Sequence, residues 1–157
     1  MLRNARPCET RGAFRRDPTA QLRAILGVVS IERLFLALAG GNGMLAVALG
    51  AFGAHGLKAR FQALPDAAQR LGWWETAAHY HLMHALALGL CAQLVARGLG
   101  SAVQVAGWCF ALGIALFSGS LYAMTLTSVR ALGMITPLGG LLFLAGWAAI
   151  VVAALRP

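Results

Sequence analysis

Residues 98–129, GLGSAVQVAGWCFALGIALFSGSLYAMTLTSV, hold 32 consecutive uncharged positions between Arg97 and Arg130. A helix needs about 20 predominantly apolar residues to cross a hydrocarbon core of roughly 30 Å, so this stretch supplies one crossing and its flanking turns. The pattern recurs on either side. Twenty-five uncharged residues separate Arg130 from Arg156, 21 separate Glu75 from Arg97, and 24 separate Arg33 from Lys58. Of the 157 residues, 59% are apolar and 11% charged, where a soluble domain is nearer half and a quarter. The expected fold is therefore all-α: an integral membrane four-helix bundle in up-down-up-down order. Its spans are expected at about residues 34–55, 74–96, 102–126 and 132–155, and a soluble enzyme is excluded.

The net charge of +8 is concentrated at the front of the chain, where Arg3, Arg6, Arg11, Arg15, Arg16, Arg23 and Arg33 precede the first span. Residues 1–33 read as a basic tail. Asp17-Pro18 opens a helix in which Leu22, Ile25, Leu26 and Val29 form an interfacial apolar stripe. The prefix fits neither a secretory signal nor a mitochondrial presequence, and an overextended start is an alternative reading. Clustered cations beside a span mark the cytoplasmic side, so both termini are expected inside. Only Phe14 interleaves with these arginines, so no nucleic-acid partner is expected. Cys8, Cys91 and Cys109 form no CxxC pair and predict neither a disulfide framework nor a zinc site.

Small residues recur at helical spacing in three spans: Ala39, Gly43, Ala46, Gly50 and Gly53 in the first, Gly107, Ala111, Ala115 and Ser118 in the third, Gly139 and Gly146 in the fourth. Such stripes let helix backbones approach closely in lipid, and they are read as packing. Residues 56–73 are assigned to the longest loop, in which Leu57, Phe61 and Leu64 make a short amphipathic turn ended by Pro65, and Trp73 and Trp74 mark the membrane boundary.

Polar residues at membrane depth are the candidates for function. They are Asn42, His55, Tyr80 and His84. Tyr80, His81 and His84 share a face of the second span, whereas Glu75 and His79 point to the other side. His84 lies roughly 13–14 Å along the helix from Glu75, near the bilayer midplane. It is a candidate ligand with His55 and His81 for a metal or haem. The preferred reading is a neutral His84 hydrogen-bonded to a neighbouring helix. No hydrolytic constellation accompanies Ser118 or Ser120, and the G-x-S-x-G pattern is absent.

Several strings resemble the YgdD family of small bacterial inner-membrane proteins. They are Gly50-Ala51-Phe52-Gly53-Ala54-His55, Tyr80 with His84-Ala85-Leu86, Leu116-Phe117-Ser118-Gly119-Ser120-Leu121-Tyr122, and Thr136-Pro137-Leu138-Gly139-Gly140 with Ala145-Gly146-Trp147. The resemblance runs from about Leu34 to Leu155. It implies a membrane fold and carries over His55, Tyr80 and His84. His79 and His81 stand where the family has Glu or Gln types, which weakens a multi-histidine metal site. The resemblance implies no particular activity.

The expected function is a non-enzymatic, cofactor-free membrane module for interaction, assembly or structure, partnered by the bilayer and by a second copy or other membrane proteins. Two alternatives stay open. One is a small-solute, proton or metal-ion pathway through His84 and His55. The other is a haem- or quinone-associated redox accessory.

Overall fold

The computed structural model describes residues 29–155, so the expected tail and its interfacial helix lie largely outside the described residues. Among these, the chain is helical apart from short connecting turns and has no strand. Four long helices follow in order: α1 Ile31–Phe61, α2 Ala67–Ala96, α3 Ser101–Thr127 and α4 Thr136–Leu155. A 3₁₀ turn, Arg130–Met134, leads into α4. α1 packs along α2 and α3 along α4, while α2 also touches α3; α1 and α3 meet only sparingly.

α1, α3 and α4 with its leading turn are each long and apolar enough to cross a membrane. α2 falls outside that class, although an uncharged interval was expected to make it a fourth span. The reason is its polar content: Arg70, His81 and His84 are all buried in the interior of the bundle. α2 packs mainly on α1 and α3 and turns these groups inward, while its Leu82, Met83, Leu86 and Leu90 stay exposed.

The helix bounds also differ from the expected spans. α1 continues past His55 through a π turn, Gly53–Leu57, and ends at Phe61. α2 starts at Ala67 and not near Trp74. The expected long loop shrinks to residues 62–66. Leu57 and Phe61 pack on Trp74, which is buried among protein side chains. Trp74 donates Nε1–H to the Leu49 carbonyl at 2.8 Å and fills the notch at Gly53, where an added Cβ would lie 2.5 Å from the indole nitrogen. Hydropathy ends a span at the first charges. The packing continues beyond them.

Aromatic rings set into glycine notches join the other helices. Phe35 of α1 fills the space at Gly107 of α3, Phe110 of α3 that at Gly146 of α4, and Phe143 of α4 that at Gly113 of α3. At Gly139 the neighbour is backbone: an added Cβ would sit 2.8 Å from the Phe117 Cα. Ala46 is buried and Ala39 approaches Gly89, but no atom lies within 4 Å of where a Cβ would stand at Gly43 or Gly50. The stripe on α1 is thus in close contact at its ends and middle, and open between them. Ala111 packs against the main core, and Ala115 is exposed.

Two helix ends explain the turns. After α2, Gly98 N–H bonds to Val95 O and Leu99 N–H to Leu94 O, the paired bonds of a glycine-terminated helix, with Gly98 at φ 82°. α3 instead ends with Ser128 at φ 63°, a left-handed conformation that strains a residue bearing a Cβ. Its Thr125 and Leu126 carbonyls would have no intrahelical partner, and Arg70 reaches across from α2 to bind both.

Candidate functional site

The polar groups of the described residues sort into bonds that tie one helix to another. Arg70 donates Nε–H and Nη2–H to the Thr125 carbonyl at 2.9 and 2.5 Å, and Nη2–H to Leu126 O at 3.3 Å. Thr125 returns a hydroxyl bond to the Arg70 carbonyl at 3.2 Å. The guanidinium also lies 4.3 Å above the Phe61 ring. A cation at a helix C-terminus meets the negative end of the helix dipole, so this charge is held by carbonyls and a π face. The sequence leaves Arg70 inside the expected loop of residues 56–73 and gives no sign of this tie.

Nearer the middle of the bundle, Asn42, His81 and Tyr122 join α1, α2 and α3. Asn42 donates Nδ2–H to Leu38 O at 2.8 Å, which leaves its Oδ1 as the acceptor facing His81 Nε2 at 3.0 Å. His81 therefore donates from Nε2, and its Nδ1 accepts from the Tyr122 hydroxyl at 3.4 Å. Removing Asn42 leaves the buried His81 Nε2–H without its acceptor, and removing His81 leaves the half-buried Asn42 Oδ1 and Tyr122 hydroxyl without their partner. Asn42→Leu and His81→Leu are each expected to cost about 1–2 kcal/mol in a detergent unfolding assay. The double variant should lose less than the sum, by roughly 0.6–1.7 kcal/mol. Strict additivity would show that the bond contributes nothing.

His84 points elsewhere. Its ring stacks on Phe143 with centroids 3.5 Å apart and planes 6° off parallel. Nδ1–H donates to the Tyr80 carbonyl at 2.8 Å, and Nε2 accepts the Trp147 indole N–H at 3.3 Å. Both nitrogens are engaged, so a metal or haem iron would have to displace one of these partners. Tyr80, half exposed, lies over Phe117 at 4.7 Å. Together with His79, Met83 and Leu141 these rings line a groove of about 760 Å³ between α2 and α4.

The histidines do not converge. Three helical residues turn His81 by about 60° from His84, enough at the centre of a bundle to aim them at different helices. His79 faces the outer groove, and His55 is exposed at the π turn of α1. No group of three or more His, Cys, Asp or Glu side chains suited to a metal ion occurs among the described residues. Cys91 is buried and unpaired, and Cys109 is half-buried. Ser120 Oγ meets Thr136 Oγ1 at 2.8 Å and links α3 to α4. Tyr122, Phe143 and Trp147 were not singled out as site residues, because nothing in an apolar span identifies the ring a histidine will meet.

Comparison with known proteins places this architecture among membrane proteins. The family described as "Protein of unknown function (DUF423)" matches residues 49–140. The UPF0382 membrane protein YwdK of Bacillus subtilis is 48% identical over 126 residues, covering 79% of this chain and 98% of the relative. A UPF0382 membrane protein of Staphylococcus epidermidis is 44% identical, covering 79% and 97%. The UPF0382 inner membrane protein YgdD of Escherichia coli is 40% identical, covering 80% and 92%. No solved structure matches.

Proposed function

The chain belongs to the DUF423/UPF0382 family of membrane proteins, and on that footing we propose that it is a non-enzymatic four-crossing module that binds and organises within the bilayer. The supporting observation is the use of its intramembrane polar groups. Asn42, His81, Tyr122, His84, Trp147, Ser120 and Thr136 are engaged in bonds between helices. A continuous ion or proton path needs a connected chain of such groups through the bundle, whereas these form separate local ties between helices.

In this reading α2, packed on α1 and α3, is the fourth crossing, and the order is up-down-up-down. Arg130 bonds Gln69 Oε1 at 3.4 Å, and Arg70 binds the end of α3, which supports residues 62–66 and 128–135 sharing one side. Both termini and the 97–100 turn lie on the other, cytoplasmic side by cation count. Partners are lipid and other membrane proteins, including a second copy of this chain.

Single cysteines at Gln62, Leu99 and Val129, introduced after replacement of the native cysteines, test the arrangement with a membrane-impermeant maleimide on intact cells. Gln62→Cys and Val129→Cys should label from outside, and Leu99→Cys only after lysis. Labelling of Leu99→Cys and Gln62→Cys from the same side would exclude a crossing by α2.

A further inference from the structure

A second cavity, of about 220 Å³, lies between α1, α2 and α3 beside the Asn42–His81–Tyr122 chain. Ser118 lines it, is fully buried, and its hydroxyl has no hydrogen-bond partner. Buried hydroxyls are normally satisfied, so this one is an exception that calls for an explanation. The residue closes the π turn Ile114–Ser118 of α3, and single π turns inside α-helices are frequent at functional sites. Asn42 adds a second N–H and a second lone pair beyond those it uses in the chain.

Three features define what would fit. The lining holds no charged side chain, so the ligand is uncharged. His81 stands fourteen residues from one end of α2 and fifteen from the other, which places the cavity at mid-height in the helix and away from lipid headgroups. Leu45 and Ala115 at its rim are exposed, and α1 and α3 barely touch, so the cavity opens sideways toward the bilayer. We propose that this cavity binds the hydroxyl or carbonyl end of an uncharged, membrane-dissolved amphiphile, with Ser118 and Asn42 as its hydrogen-bond partners and the apolar tail left in the lipid.

The site rests on the membrane-module reading for its lateral entry. Cysteine accessibility tests that reading separately, so a failure here with four crossings intact counts against the site alone. The probe is a diazirine-bearing octanol photolabelled onto full-length protein in phosphatidylcholine nanodiscs, with labelled peptides mapped by mass spectrometry. Labelling should concentrate between Ile114 and Tyr122. Excess decanol or 2-decanone should compete, and which of the two does so identifies a hydroxyl or a carbonyl ligand; decane should not. Ser118→Ala should weaken competition about three- to tenfold, one hydrogen bond's share. It should melt at or above the wild-type temperature, because it removes an unpaired hydroxyl, so lost labelling is not unfolding. Labelling spread over all outward faces, equal competition by decane, or indifference to Ser118→Ala would overturn the proposal.

Discussion

Gly139→Ala should unfold the protein more readily than any other single methyl added to the bundle, losing about 3 kcal/mol or more in a detergent denaturation series. The new carbon would stand 2.7 Å from the Phe117 Cβ and 2.8 Å from its Cα. Side chains can rotate away from a methyl, but a helix backbone cannot, so α3 and α4 must separate along their contact. That separation also lengthens the Ser120–Thr136 bond and unseats Phe143 from its notch at Gly113. Gly43→Ala is the control. It has open space where the Cβ would sit, and replacing a mid-helix glycine by alanine gains up to about 1 kcal/mol of helix stability. Equal losses in the two variants would mean that the glycines act through the helices themselves and not through the α3–α4 contact.

His84→Ala should cost about 2–4 kcal/mol, the range for truncating a large buried side chain and losing a stacked ring. The deletion removes the ring stacked on Phe143 and leaves the Trp147 indole N–H without its acceptor. His84→Phe separates these losses. It restores a ring of similar shape against Phe143 and should recover more than half of the stability, with the indole left unpaired. Chemical denaturation in one detergent, monitored by tryptophan fluorescence, reads all three proteins. A phenylalanine variant no better than alanine would show that the imidazole nitrogens, and not the ring's packing, carry the contribution.

These two residues show how far sequence carries. The long uncharged intervals reveal a membrane helix protein because the cost of charge in the core of the bilayer is large. They are blind to which helix carries the buried polar groups. α2 reads as one more span from Glu75 to Arg97, yet it holds the buried Arg70, His81 and His84 and falls short of the apolar character of the other three. The stripes of small residues locate close approaches without saying what approaches: Gly139 meets backbone, Gly107 meets a ring, and Gly43 has nothing near it. The site divides in the same way. His84 was legible as an ionisable group at depth, and a hydrogen bond to another helix was preferred because histidine pairs at i, i+3 are common by chance. His81 was placed on its face because three residues nearly complete a helical turn. The remaining 60° is a small error on a surface helix but decides the partner at the centre of a bundle. Arg70 and Trp74 were assigned to a loop and a boundary because hydropathy stops at charge, whereas packing between Leu57, Phe61 and Trp74 extends the helices beyond it.

The central claim is that the intramembrane histidines tie helices together and do not hold a cofactor. Metal content and the absorbance spectrum of purified wild-type protein, measured beside His84→Ala, test it most directly. The account predicts sub-stoichiometric metal and no visible chromophore in either protein, with the variant distinguished only by its lower stability. A stoichiometric metal or chromophore in the wild type that disappears in His84→Ala would contradict it.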